Sequence, residues 1–199
     1  MDKELFSFYR NSLLGEVSNT PLCKEYQAEW RKTSNDKEGL VRLALRRQSL
    51  PYFATACYEN LGLSPEYILE TFGDYINGKR TYDGVDGVDG YSSQLYVKYG
   101  EDILATSDTT ALMWCSDIKI DIPMTRCPFL YVSNYSDVHV NCIGYNTIYV
   151  YLFDESKVTI ENADENCEVI IYKYSKLAEV EKGEGCNCEV KVFDKQLRL

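Results

Sequence analysis

Between Leu130 and Val192 the sequence repeats a short unit in which two apolar residues flank one intervening residue. The unit occurs as Val138-His139-Val140, Ile148-Tyr149-Val150, Val158-Thr159-Ile160, Val169-Ile170-Ile171 and Val190-Lys191-Val192, with Val180-Glu181-Lys182 as a variant that ends in lysine. Successive units start ten or eleven residues apart. Short alternating segments at a fixed step are typical of a stacked repeat, so we expect strands that form the rungs of a coil.

Alternate units share a second, longer period. One set places His139, Thr159 and Glu181 at its outward positions, and this set is polar. The other set is followed by Tyr151, Tyr172 and Phe193, which are spaced twenty-one residues apart. A column of like residues at that spacing predicts a two-sided coil of about twenty residues, the plan of a small β-solenoid. The alternative is an antiparallel β-meander of hairpins, which explains the shorter step but leaves the longer one to coincidence.

The first 78 residues are helical in pattern. Helix starts are indicated by Thr20-Pro21, Asp36 and Ser64-Pro65, and Asn77-Gly78 indicates a stop. The predicted fold class is therefore α+β: a helical bundle (1–78), a Gly/Asp-rich linker (79–93) and a β-solenoid domain (94–199). The segments around 95–97, 111–114 and 118–120 are expected to form the first coils or a cap over the sheet edge.

The linker contains the repeat Asp83-Gly84-Val85-Asp86-Gly87-Val88-Asp89-Gly90. Carboxylates with flexible glycines suit calcium, but the spacing fits neither an EF-hand loop nor a glycine-rich β-roll. A solvated connector is the favoured interpretation, and no cofactor or metal is predicted for the chain.

The formal net charge of −10 lies entirely in the second part of the chain, because residues 1–82 hold equal numbers of acids and bases. An acidic solenoid excludes direct binding to a phosphate backbone and permits attraction to a basic protein surface. There is no apolar run of membrane-spanning length and no signal peptide. We therefore expect a cytoplasmic protein with reduced cysteines.

Chemistry-bearing residues are few and scattered. His139 is the only histidine, and its outward position predicts a solvated side chain rather than a catalytic base. Cys142, Cys167 and Cys188 fall at inward positions, which predicts core packing. The carboxylates at 154–155 and 161–165 cluster at expected turns, so they give weak support to glycoside hydrolysis. We predict a protein that is not an enzyme.

The aromatic column is the most informative surface feature. The predicted binding face, termed the aromatic face, consists of Tyr149, Tyr151, Ile170, Tyr172, Tyr174 and Phe193. So large an apolar patch must be covered. The cover is either the helical part, through residues such as Tyr52, Phe53 and Phe72, or another molecule, which can be a protein, a second copy of the chain or a glycan.

Four segments resemble an uncharacterised family encoded by gut Bacteroidales genomes and their phages. They are Leu43–Tyr52, Gly62–Gly78, Arg126–Asn134 and Tyr145–Asp164, and Ile148–Ile160 carries the strongest likeness. The resemblance brings no known activity and no catalytic residues. It implies a phage or mobile-element accessory protein, so a virion is an alternative location to the cytoplasm of the producing cell.

The functional hypothesis is a non-enzymatic binding or structural protein that uses a rigid acidic solenoid as an interaction platform. Two alternatives remain open: an acidic inhibitor that occupies a basic site on a host protein, and a glycan-binding module.

Overall fold

The chain folds as a β-solenoid of about five coils, with a layer of short helices on one wall. The structure is a computed structural model. It describes residues 3–4, 24–33, 35–46, 49–58, 63–83, 91–123, 128–144, 147–163 and 165–195.

The helices are α1 (Lys24–Lys32), α2 (Lys37–Ala44), α3 (Leu50–Tyr58) and α4 (Pro65–Phe72), and a 3-10 turn follows at Gly73–Tyr75. The strands are β1 (Arg80–Asp83), β2 (Tyr91–Val97), β3 (Ile103–Leu104), β4 (Thr109–Met113), β5 (Ile118–Ile122), β6 (Phe129–Ser133), β7 (Asp137–Cys142), β8 (Thr147–Leu152), β9 (Lys157–Ala163), β10 (Glu168–Lys173), β11 (Glu179–Lys182) and β12 (Glu189–Asp194).

The strands alternate between two walls. Sheet A has the order β1-β2-β4-β6-β8-β10-β12, and sheet B has the order β11-β9-β7-β5-β3. From β2 onward every pairing is parallel, and each strand bonds to the strand one coil away. Tyr151 pairs with Tyr172, and Tyr172 pairs with Phe193. The twenty-one-residue coil is thus confirmed, and the meander is excluded because its hairpins would pair antiparallel.

The interior between the two sheets is filled by the inward residues of the repeat. Val158, Val169 and Ile171 are fully buried, as the alternating pattern predicts. The prediction that Thr159 is exposed is wrong, since only 8% of it is accessible. Thr159 does point outward, but it pairs with His139 on one side and Glu181 on the other. The longer side chains of these neighbours cover the short threonine.

One corner of the coil is held by side chains that stack from coil to coil. Asn134 and Asp154 adopt positive φ values of 59° and 47° where sheet A strands turn toward sheet B. The Asp154 carboxylate accepts hydrogen bonds from Asn134 N at 2.6 Å and from Ser156 Oγ at 2.8 Å. Ser156 Oγ in turn accepts a bond from Ser136 N at 3.2 Å. We call these residues the corner ladder; they satisfy backbone groups that a sharp turn removes from the sheets.

Two of the helices begin where the sequence predicts. Asp36 caps α2 by accepting a bond from Gly39 N at 3.0 Å, and Ser64 caps α4 through Tyr67 N at 3.2 Å. The predicted start at Thr20-Pro21 lies outside the described residues.

A helical bundle over residues 1–78 is not supported. Residues 5–23 lie outside the described part, and the described helices share one apolar cluster with the outer side of sheet A. Phe53 and Phe72 belong to that cluster, together with Tyr131 and Tyr151 of the sheet. The helices are eight or nine residues long, and helices this short depend on packing for their stability. The domain boundary at 79–93 stays a prediction.

Replacing Ser156 with alanine is expected to lower the free energy of unfolding by about 1–3 kcal/mol, because it removes a buried hydroxyl that accepts from Ser136 N and donates to the Asp154 carboxylate. Ser136 N then keeps only its bond to Ser133 O at 3.3 Å. Ser175→Ala serves as the control, since Ser175 Oγ makes an exposed bond to Leu177 N, and it should stay within about 0.5 kcal/mol. Urea unfolding of both variants measures the difference. Equal losses would contradict a structural role for the corner ladder.

Asp154 also predicts a pH effect. Burial raises the pKa of its carboxyl above the ordinary value, so the folded state holds this proton more tightly than the unfolded state does. The contribution of Asp154 to stability must therefore fall as pH rises from the unfolded pKa of about 3.9 through the raised value. Asp154→Asn lacks this titration. The stability of wild type relative to the variant should decline over that pH interval, and a flat difference would contradict the prediction.

Candidate functional site

The outer side of sheet A carries a ladder of aromatic rings that continues through four coils. The ring centroids of Tyr131 and Tyr151 lie 4.6 Å apart at an interplanar angle of 8°. Tyr172 follows at 5.3 Å from Tyr151, and Phe193 at 5.8 Å from Tyr172. Parallel pairing with one residue per coil in the same column produces this stacking.

The cover over this ladder thins toward the last coil. Tyr151 is 8% exposed and belongs to the cluster shared with the helices, whereas Phe193 is 45% exposed. The other predicted members of the aromatic face, Tyr149, Ile170, Tyr172 and Tyr174, are all half-buried. The helices therefore cover its start, and its end faces solvent among the described residues. The side chain of Tyr52, one expected cover, lies outside the described part.

Sequence reasoning missed the aromatic residues on the coil before the predicted face. Phe129 stacks on Tyr149 at 5.5 Å, and Tyr131 opens the main column. The signal was present, because both residues precede their partners by twenty positions. Phe153, one residue beyond the end of β8, was also missed. Its ring stacks on that of Tyr174, and the two ring centroids are 5.0 Å apart.

The outer side of sheet B is polar and acidic, and we call it the acidic wall. No described helix residue belongs to the apolar cluster that fills the space between the two sheets. The described helices pack on the outer side of sheet A instead. The acidic wall carries six carboxylates against two lysines and one histidine. They are Asp117, Asp121, Asp137, Glu161, Glu179 and Glu181, with Lys119, Lys157 and His139.

His139 lies at the middle of the acidic wall between two carboxylates. Its Nδ1 is 2.7 Å from Glu161 Oε1, and its Nε2 is 3.3 Å from Asp117 Oδ1. Its side chain is 26% exposed, which is less than the solvated position predicted from the sequence. Since both ring nitrogens face carboxylates, neither is directed at a serine or cysteine nucleophile.

A cleft of about 490 Å³ opens near the start of the solenoid, lined by residues that include Arg80, Ser92 and Ser107. Ser92 Oγ donates a hydrogen bond to Asp108 Oδ2 at 2.9 Å. A carboxylate beside a serine hydroxyl is one part of a nucleophilic site, but the base that activates the serine is a histidine in such triads. His139 does not line this cleft.

Four buried cysteines meet near the last coils. Cys142, Cys167 and Cys188 are buried, as their inward positions predict, and Cys186 joins them. The Sγ atoms of Cys186 and Cys188 are 3.6 Å apart. Burial raises the pKa of the Cys188 thiol to about 12 and that of Cys142 further, so both thiols stay protonated at neutral pH. No group of three or more described His, Cys, Asp or Glu residues is arranged to hold a metal ion.

Most of the Gly/Asp-rich repeat that was interpreted as a connector, residues 84–90, lies outside the described part of the chain. Among the helices that are described, none combines the length and apolarity needed to cross a membrane.

Comparison of the chain with protein-family models, with curated proteins and with solved structures gives no match.

The exposure of the aromatic rings increases along the column toward the last coil. Replacing them with alanine is therefore expected to lower the free energy of unfolding by less and less along the column. Tyr151→Ala should lower the free energy of unfolding by about 3–5 kcal/mol, as for other buried aromatic residues. Phe193→Ala should cost less than about 1 kcal/mol because nearly half of its surface is already accessible. Tyr172→Ala should fall between them. Denaturant unfolding of the three variants checks this order, and three equal losses would contradict it.

Proposed function

We propose that this chain is a non-enzymatic interaction protein whose acidic wall binds a protein partner with a basic surface. The observation that carries the proposal is the asymmetry of the two walls. Helices cover the start of sheet A, whereas the described helices leave the acidic wall open with its excess of carboxylates.

The geometry of the acidic wall suits charge recognition. Parallel pairing stacks its side chains in columns, for example Asp137 beside Lys157 and Lys157 beside Glu179. Columns on a continuous sheet hold charges at fixed spacing, so a partner meets a preorganised surface rather than mobile loops. Complementary potentials across such a surface speed association and discriminate between partners.

The charges on the acidic wall are only partly paired within the chain. Lys157 Nζ is 2.9 Å from Glu181 Oε2, and His139 contacts Glu161 and Asp117. The side chain of Asp117 is nevertheless 91% exposed and that of Glu181 is 55% exposed. Exposed ion pairs contribute little to stability, so these carboxylates are available to an incoming cation at small cost to the fold.

An accessory role for a phage or mobile element is part of the same proposal, and its support is the resemblance in sequence described above. The acidic inhibitor is the nearest alternative, because an open acidic surface also suits occupation of a basic site. The two functions are separated by the partner: an inhibitor lowers the activity of the protein that it binds, and a scaffold does not.

The test uses paired triple variants of the purified full chain in extract of the producing cells. Asp117→Asn, Glu179→Gln and Glu181→Gln together remove three charges from the acidic wall, and asparagine suits the positive φ of 57° at position 117. Glu38→Gln, Glu70→Gln and Asp74→Asn remove three exposed charges from the helical layer as the matched control.

Quantitative cross-linking should recover a basic partner with wild type and with the control. Recovery should fall at least about tenfold with the variant of the acidic wall and should decline as salt rises. Equal recovery with both variants would show that the acidic wall is not the binding surface.

A further inference from the structure

The last strand of sheet A has a neighbour on one side only among the described strands. β12 pairs with β10, and no described strand pairs with its other side. At the opposite end of the sheet, β1 pairs antiparallel with β2. An open edge presents free backbone donors and acceptors that can pair with another chain.

The backbone groups that face this open side can be assigned. Lys195 N donates to Lys173 O at 2.8 Å, in the direction of β10. Alternate residues of a parallel strand bond to the same neighbour. The odd-numbered residues of β12 therefore bond to β10, and Val190, Val192 and Asp194 direct their N–H and C=O groups to the open side.

Apolar side chains end at the same edge. Val192 continues the interior column that contains Val150 and Ile171, and Phe193 continues the aromatic column. Their counterparts on the preceding coil are covered better, with Ile171 fully buried and Tyr172 half-buried, whereas Val192 is 47% exposed and Phe193 is 45% exposed. A further strand beside β12 would bury both residues.

The charges on β12 are complementary to a second copy of the same strand. If two copies pair antiparallel about Val192, Val192 faces Val192 of the other copy and Val190 faces Asp194. These residues carry the free N–H and C=O groups, so both become hydrogen-bonded pairs of the antiparallel ladder. On the outer side Glu189 then faces Lys195, and Lys191 faces Phe193. A shift of two residues in either direction places Lys191 against Lys191 or against Lys195, and like charges directly opposite are unfavourable.

We propose that two copies of this chain form a twofold dimer in which the β12 strands pair antiparallel about Val192 and join the two A sheets. Such an interface is self-complementary, as a twofold axis requires. Pairing is confined to sheet A, because β11 is four residues long and its self-pairing sets like charges opposite one another. Through the free groups of its even-numbered residues, Glu181 faces Glu179 or Glu181, or Lys182 faces Lys182. Existing contacts of the charged residues are compatible with this arrangement: Lys191 lies beside Glu168 and Glu189, and Lys195 Nζ lies 5.2 Å from the centre of the Tyr172 ring.

Charge exchange on the full-length protein tests this pairing directly. By sedimentation velocity, wild type is expected to dimerise at or below about 100 µM. Glu189→Lys alone and Lys195→Glu alone should each weaken the dimer at least about tenfold, because each sets like charges opposite one another. An equimolar mixture of the two variants should dimerise again, since the lysine introduced at position 189 of one copy then meets the glutamate introduced at position 195 of the other.

A proline variant tests the backbone contribution. Val192→Pro removes an N–H that faces the open side and leaves the bonds from β12 to β10 in place, a position that proline tolerates on an edge strand. It should abolish the dimer without lowering the thermal unfolding temperature of the monomer by more than a few degrees. Glu38→Lys controls for a change of net charge and should leave the dimer intact.

Three results would overturn the inference. They are a wild-type monomer at about 100 µM, a mixture of the two charge variants that stays monomeric, and a dimer that survives Val192→Pro. Binding of a different protein that is lost in Val192→Pro, with wild type itself monomeric, would assign the edge to that protein instead.

Discussion

Parallel pairing between strands one coil apart is the constraint from which the other features of this structure follow. It places equivalent residues of successive coils side by side, so that any repeated residue becomes a continuous column. Apolar residues in the inward columns, such as Val158 and Val169, then form an interior that is fully buried. Each coil buries its apolar surface only against its neighbours, so no single coil is stable alone. The same pairing demands identical turns at the corner, and the corner ladder of Asn134, Asp154, Ser136 and Ser156 meets that demand with side-chain hydrogen bonds.

The two walls of the coil differ because their outward columns differ in chemistry. On sheet A the columns are aromatic, and the described helices bury part of them in a shared cluster that includes Phe53, Tyr131 and Tyr151. On sheet B the columns are charged, and covering them with apolar helices would desolvate carboxylates without compensation. The described helices accordingly pack on sheet A. They leave the acidic wall open, and it is the surface to which we assign partner binding.

Much of the solenoid could be predicted from sequence because period and parity are local properties that the chain displays directly. The column of Tyr151, Tyr172 and Phe193 and the inward cysteines followed from spacing alone. Thr159 could not be predicted, because its accessibility depends on the lengths of His139 and Glu181 on adjacent coils rather than on its own direction. The corner ladder was missed because one aspartate or serine at a turn looks ordinary until the coil stacks it on another. The helical bundle was inferred from good local signals such as Asp36 and Ser64, but caps define where a helix begins and not what it packs against.

The two ends of a solenoid each expose a strand edge, because every strand carries backbone groups that bond to a strand of the next coil. At the start of sheet A the chain ends the series by reversing direction: β1 runs antiparallel to β2, and Thr81 Oγ1 donates a further hydrogen bond to Ser93 O. At the last coil the repeat weakens instead. Lys182 stands where an apolar residue is expected, and the outer side of β12 carries Glu189 and Lys191 before Phe193. Charges on an edge strand discourage indiscriminate strand addition. Their order on β12 opposes the two registers that lie two residues away from the one centred on Val192, so these charges favour that pairing over its nearest alternatives.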